Sequence, residues 1–234
     1  MWDGPTGELT YSGLRVLELG CGTGALLAAL EPSHGVGVDF SPAMVAIARA
    51  HHPQLSFVVA DVENSSDMAA IDGTFDVIIM SDTIGSLEDC QATLESLHRF
   101  CAPHTRLIIA YYSKLWEPIL RAGELARLKM PAVQQNWLFT DDIANLLDLA
   151  QFQVVKREWR QLVPRSVLGI GTLINRYIAP WPFIRRACLR NYIVARPVRE
   201  LPRSTPSATV VIPCRNERGN VEAAVQRRQR RRGR

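Results

Sequence analysis

Val16-Leu17-Glu18-Leu19-Gly20-Cys21-Gly22-Thr23-Gly24 is the stretch that decides the fold. An apolar run from Arg15 to Leu19 that ends in alternating glycines is how a buried parallel strand entering a tight turn is written. Gly20 and Gly22 let the backbone turn sharply and approach a ligand without a Cβ clash. Ala25 to Leu30 reads as the next helix, whose N-terminal N–H groups suit a negative group. In open α/β sheets a ligand lies beyond the carboxyl ends of the strands, where strand order reverses, and the first strand is expected to be that place.

Outward from this loop the period alternates. Gly35 to Val38 reads as a second strand. Phe40-Ser41-Pro42 then opens a helix running through Arg49 and Ala50, with Ser41 as cap and Pro42 at the first helical position. Leu55 to Ala60 and Phe75 to Met80 read as strands, Leu87 to Phe100 as a helix, and Arg106 to Tyr111 as a fifth strand. Thr140 to Ala150 reads as a helix capped by Thr140 or Asp141, with Ile143, Leu146, Leu147 and Ala150 on its apolar face. Phe152 to Trp159 and Leu189 to Ala195 read as an antiparallel pair at the sheet edge. The pattern predicts an α/β fold: a Rossmann-like doubly wound seven-stranded sheet, mostly parallel with an antiparallel edge pair.

Residues 14–196 are expected to form that domain after a short lead at 1–13. Pro197, Pro202 and Pro206, among Ser and Thr, read as a linker over 197–206. The formal charge of +4 comes from Arg227, Arg228, Arg230, Arg231, Arg232 and Arg234, and removing those six leaves about −2. The body is therefore not a basic nucleic-acid surface. The five cysteines, Cys21, Cys90, Cys101, Cys188 and Cys214, form no C-x-x-C pair, which argues against a zinc site or a secreted disulfide framework and fits a reducing cytoplasm. No signal peptide is visible at Met1 to Pro5. The stretch Val163 to Ile184 is too interrupted by Arg165, Asn175, Arg176, Pro180 and Pro182 to span a bilayer.

The loop alone does not fix the chemistry, because Gly20-x-Gly22-x-x-Ala25 also fits a relaxed dinucleotide fingerprint. Two strand-end acids sharpen it. Asp39 is placed to accept both hydroxyls of a ribose, and Asp61 to accept from an adenine amino group, although strand-end aspartates also cap helices. No metal site is expected. Cys21 has no cationic neighbour and reads as a loop filler, and none of the five histidines is placed for catalysis.

Glu18 ahead of the glycines, Asp39 and Asp61 at consecutive strand ends, and Asp39-Phe40-Ser41-Pro42 opening a helix together resemble the class I S-adenosylmethionine-dependent methyltransferases over residues 14–196. The resemblance implies S-adenosylmethionine as cofactor. It places Glu18, Gly20, Cys21, Gly22 and Gly24 at its methionine part. Asp39 falls at the ribose, with Phe40, Ser41 and Met44 in the same cofactor set, and Asp61 and Val62 fall at the adenine. Ser81 and Asp82 match positions facing the methionine moiety and the acceptor. Because the sulfonium already activates the methyl group, the protein mainly has to hold the acceptor in line, and strong acid–base machinery is optional. Acceptor-side candidates are Asp82, Tyr112, Trp116, Asn136 and Trp137; the three aromatics read equally well as packing residues.

The expected acceptor is a small molecule or a saccharide- or lipid-linked intermediate, with no nucleic acid. Residues 163–186, where Tyr177, Trp181 and Phe183 lie among arginines, read as an insert packed on the sheet, a lid, or a weak contact with the inner membrane face. Residues 208–221, with Val211-Ile212-Pro213 and Asn216-Glu217, resemble the first strand and loop of a family 2 glycosyltransferase. On that resemblance 207–234 would be the truncated start of such a domain with an Arg-rich tail, expected to be disordered, and the chain the N-terminal half of a bacterial fusion. Two rival readings share the glycine loop: an NAD-dependent oxidoreductase, against which stand Glu18 and the lack of a Tyr-x-x-x-Lys pair, and a non-catalytic cofactor-binding module.

Overall fold

The structure, a computed structural model, describes residues 13–117, 136–160, 181 and 188–198. Among them run β1 (Arg15–Leu19), α1 (Ala25–Ala29), β2 (His34–Asp39), α2 (Pro42–His51), β3 (Ser56–Val59), α3 (Ser65–Met68) and β4 (Phe75–Ser81). After these come α4 (Cys90–Ser96), β5 (Cys101–Tyr112), α5 (Thr140–Leu149), β6 (Phe152–Arg160) and β7 (Arg190–Pro197). The strands form one seven-stranded sheet in the order β3-β2-β1-β4-β5-β7-β6. β1 to β5 pair in parallel, while β7 runs antiparallel between β5 and β6. The order reverses at β1, with β2 on one side and β4 on the other, as the glycine-loop reading requires.

Helices cover both faces. Alternate residues of the central strands point to opposite sides. Leu17, Leu19, Ile78, Met80, Leu107 and Ile109 enter one apolar cluster with Leu94, Leu97 and Phe100 around α4 and with Ile143 and Leu147 of α5. Val16, Val77 and Ile79 enter a second cluster with Leu27 of α1 and with Val45 and Ala48 of α2. Being buried from both sides makes β1 and β4 continuous apolar runs rather than alternating ones.

Local hydrogen bonds move several boundaries. The helix expected over Leu87 to Phe100 is split into a 3-10 turn at Ile84–Ser86, α4, and a second 3-10 turn at Leu97–Phe100. It starts at Cys90 because the Asp89 carboxylate accepts from the Ala92 N–H at 2.8 Å, a cap the sequence reading passed over. α3 was not expected; Asn64 starts it by accepting from the Ser66 N–H at 3.0 Å. At α5 neither Thr140 nor Asp141 is the cap. Phe139 holds that position, and the Asp142 carboxylate accepts its N–H at 2.9 Å. The Thr140 hydroxyl instead accepts from the Tyr111 hydroxyl at 2.7 Å. β5 begins early, at Cys101, because the buried Thr105 hydroxyl donates to the Phe75 carbonyl at 2.6 Å and keeps the irregular start paired to β4.

β7 runs through Pro197, one residue into the expected linker. The lead before Gly13, the segment 163–186 apart from the exposed Trp181, and residues 199–234 with the glycosyltransferase-like stretch lie outside the described residues. Among the described residues no helix is long and apolar enough to cross a membrane.

Leu17 is fully buried at the centre of the larger cluster. Leu17→Ala should cost about 3 kcal/mol through lost transfer energy and a residual cavity. Urea unfolding should show a lower midpoint with unchanged slope; a loss below about 1 kcal/mol would contradict the central placement of β1.

Candidate functional site

The site is built where β1 ends. Gly20 has φ +73, and a Cβ there would lie 2.3 Å from the Thr83 hydroxyl oxygen, so only glycine fits. Thr83 donates to the Leu19 carbonyl at 2.7 Å, tying the end of β4 to the end of β1. Gly24 has φ +75 and stands where a Cβ would meet the Phe57 ring at 2.6 Å. Its left-handed conformation starts α1.

Inside this turn the chain satisfies its own amides. The Gly20 and Cys21 N–H groups donate to the Val38 carbonyl at 2.8 and 2.9 Å. The Gly22 N–H donates to Asp39 Oδ2 at 2.8 Å, and the Ser41 N–H donates to Asp39 Oδ1 at 2.9 Å. Glu18, 2% exposed, accepts the Leu27 N–H at 3.1 Å. One N–H of the first turn of α1, that of Leu27, is therefore taken by a carboxylate of β1. Burial pushes the Glu18 carboxyl up to about 7, with the Leu27 N–H opposing and the Asp39 charge adding. Burial, then Glu18 and Asp39, push the Cys21 thiol up to about 12, which rules out a thiolate nucleophile.

Beyond the strand ends lies a cleft of about 380 Å³. Gly20, Asp39, Phe40, Asp61, Val62, Ser81 and Asp82 line it, joined by Glu63, Thr83, Ser86, Leu87 and Glu88. Phe40 is 75% exposed at the rim, an apolar ring left in water beside a polar cavity. Glu18, Cys21, Gly22 and Gly24 shape the loop without lining the cleft. Ser41 and Met44 do not line it either, because the Ser41 hydroxyl turns onto the Met44 N–H at 3.4 Å as the α2 cap.

A second, much smaller depression is lined by Asp82, Ile84, Gly85, Tyr111, Tyr112, Asn136, Trp137 and Leu138. Asp82 belongs to both cavities. It takes the left-handed conformation, φ +60, a strained position for a non-glycine residue. Its N–H donates to the Ala110 carbonyl at 2.8 Å, and its carboxylate pairs with Arg190. Arg190 also stacks 4.9 Å over the Tyr112 ring. Asn136 is committed to the framework: its side-chain amide donates to the Leu87 carbonyl at 3.1 Å and its N–H to the Gly85 carbonyl at 2.6 Å. Trp116 sits in the 3-10 turn Lys114–Trp116 and lines neither cavity. Among the described residues no group of three His, Cys, Asp or Glu side chains could hold a metal ion.

The family model of the methyltransferase domain matches residues 6–157. The chain belongs to this methyltransferase domain family. It is 32% identical to the malonyl-[acyl-carrier protein] O-methyltransferase of Bacillus cytotoxicus over 121 residues, 49% of this chain and 41% of that protein. It is also 32% identical to the demethylmenaquinone methyltransferase of Clavibacter sepedonicus over 117 residues, 48% of this chain and 46% of that protein. The chain thus spans less than half the length of these curated relatives. The fold matches a crystal structure of an S-adenosylmethionine-dependent methyltransferase from Mesorhizobium loti with a TM-score of 0.59 at 17% identity, covering 81% of this chain and 93% of that one.

In this methyltransferase domain, three residues of the site escaped the sequence reading. Thr83, Glu63 and Arg190 act through partners 64, 25 and 108 positions away. Only Arg190 had a usable signal, as a charged residue ahead of the Tyr192-Ile193-Val194-Ala195 run of its strand.

Glu18 gives a test of the buried loop. Its folded pKa of about 7 lies above the 4.5 of an unfolded glutamate. A raised folded pKa contributes stability below pH 4.5 that is lost as pH rises through 7, a swing of about 3 kcal/mol. Urea unfolding between pH 4.5 and 8 should show this decline in the parent and not in Glu18→Gln, which keeps an acceptor for Leu27. Equal slopes in both proteins would contradict the burial of an ionisable Glu18.

Proposed function

We propose that this domain transfers the methyl group of S-adenosylmethionine to a small-molecule or lipid-linked acceptor brought to Asp82. The observation that carries the reading is that Asp82 is shared by the 380 Å³ cleft and the smaller depression beside it. A donor in one and an acceptor in the other would meet at a single side chain. The relatives' names support the acceptor class: malonyl-[acyl-carrier protein], demethylmenaquinone, and, for an O-methyltransferase of Schizosaccharomyces pombe at 25% identity over 72% of this chain, ubiquinone biosynthesis.

The donor set fits the cofactor. Each Asp39 oxygen accepts one backbone N–H and keeps a lone-pair direction for a ribose hydroxyl. Phe40 offers a ring face at the rim, and Asp61 and Val62 a polar and an apolar edge at the far end of the cleft. When bound, S-adenosylmethionine supplies a methyl group already activated on a sulfonium sulfur. The chain's residues then have to orient the acceptor, and rate comes chiefly from holding the reacting atoms in line. Arg190 fixes the Asp82 carboxylate, which can accept a hydrogen bond from an acceptor hydroxyl or amine, while Tyr112 and Trp137 wall the depression. An oxidoreductase reading finds no support in the described cleft, since none of its lining residues forms a Tyr-x-x-x-Lys pair. Attachment to a glycosyltransferase domain is supported by the sequence of residues 208–221 alone.

Calorimetric titration tests the reading. S-adenosylhomocysteine and S-adenosylmethionine should bind and NAD should not. Asp39→Ala should weaken S-adenosylhomocysteine by about 2 to 3 kcal/mol, the worth of charge-assisted hydrogen bonds to a ribose. Tight NAD binding, or an Asp39→Ala protein that binds S-adenosylhomocysteine like the parent, would overturn the assignment.

A further inference from the structure

β3 and β4 lie three strand spacings apart in the sheet, separated by β2 and β1. At about 4.8 Å per spacing their axes are about 14 Å apart. Yet Glu63, just after β3, reaches the segment that leads from β4 into α4. Its Oε1 accepts the Asp89 N–H at 2.8 Å and its Oε2 accepts the Glu88 N–H at 3.0 Å. The two loops therefore bend toward each other across the carboxyl ends of β2 and β1, and one carboxylate joins them.

The loop on the Glu63 side is itself tightly wound. Asp61 Oδ1 accepts the Glu63 N–H at 3.0 Å, and the Asn64 N–H donates to the Asp61 carbonyl at 3.1 Å. Asp61, Val62 and Glu63 thus move as a unit, carried by an edge strand of four residues that pairs on one side only. Both bonded segments line the cleft, Asp61 and Val62 from one side, Leu87 and Glu88 from the other. What spans them sets the width of that end.

We propose that Glu63 is the positioning residue for the base end of the cleft, clamping the β3 loop to the start of α4 so that Asp61 and Val62 form a slot matched to an amino-bearing purine. This rests on the cofactor reading above. The chemistry of the clamp is specific. Two consecutive backbone N–H groups need two anionic or carbonyl oxygens at the end of one side chain, which a glutamate supplies and an alanine does not. A glutamine supplies one oxygen and turns its NH2 against the second donor. Without the clamp the carboxylates of Asp61 and Glu88 still share the rim, while Val62 and Leu87 still pack in the core. Glu63 itself lies outside both apolar clusters, so its loss leaves the core intact.

The test measures the affinities of the full chain for S-adenosylhomocysteine and S-inosylhomocysteine, which differ only at one edge of the base, where the 6-amino donor and N1 acceptor of adenine become a 6-oxo acceptor and an N1–H donor. The parent should prefer the first. Glu63→Ala should weaken S-adenosylhomocysteine about tenfold and bring the ratio of the two affinities close to one, with faster amide exchange at Glu88 and Asp89; Glu63→Gln should fall between. If the alanine variant fails to fold, Glu63→Gln reports the same ratio. A loss equal for both ligands, leaving the ratio of the parent, would reduce Glu63 to a general structural tie and overturn the proposal. So would parental affinity for S-adenosylhomocysteine in Glu63→Ala. A parent that binds neither ligand would instead overturn the cofactor reading on which the proposal stands.

Discussion

One carboxylate holds the site together. Asp39, at the end of β2, takes the Gly22 N–H on one oxygen and the Ser41 N–H on the other. The first bond closes the glycine loop after β1, and the second starts α2. With a single side chain at 7% exposure, the chain fixes the relative placement of two strand ends and one helix start. The bonds are charge-assisted and mostly shielded from water, so they are worth more than ordinary hydrogen bonds. Glu18 repeats the device on α1 through Leu27. Burial raises the Glu18 pKa toward neutrality, and the charge of Asp39 in the same small turn adds to the rise.

The antiparallel edge also contributes to the site. β7 places Arg190 opposite Tyr112 of β5, and from there its guanidinium reaches Asp82 at the end of β4. A parallel strand in the same place would put the other end of its sequence at this rim. The reversal thus brings a cation to the boundary between the two cavities, where a strained aspartate needs a fixed partner. The edge strand of this pair, β6, also carries ion pairs on both its faces, Lys156 with Glu158 and Arg157 with Asp141 of α5, charges of the kind that protect a sheet edge.

Much of this was legible in the sequence, for identifiable reasons. β1, the glycines, and the Ser41-Pro42 start of α2 are written in consecutive residues, and period, turn chemistry and capping are all short-range rules. The sheet order follows from alternating strands and helices, since few topologies fit that pattern. What could not be read was set at long range. Ser41 has the residue type of a ligand contact but spends its hydroxyl on Met44. Asn136 has an acceptor-facing amide by composition but gives it to Leu87. The helix expected from Leu87 begins at Cys90 because Glu63, distant in sequence, holds the amides of Glu88 and Asp89 while Asp89 caps the first turn. β5 extends back to Cys101 because Thr105 finds the Phe75 carbonyl. Each miss is a polar group whose partner is chosen by the fold.

The central claim is that a preformed acid at the end of β2, already holding two backbone amides, is also the ribose site. A crystal structure of the full chain with S-adenosylhomocysteine tests it most directly. The account predicts both ribose hydroxyls within about 3 Å of the Asp39 oxygens, with the Gly22 and Ser41 N–H bonds retained and the base lying between Phe40 and the Asp61–Glu63 turn. A ligand whose ribose lies elsewhere, or an Asp39 that must release Gly22 or Ser41 to reach it, would contradict the account.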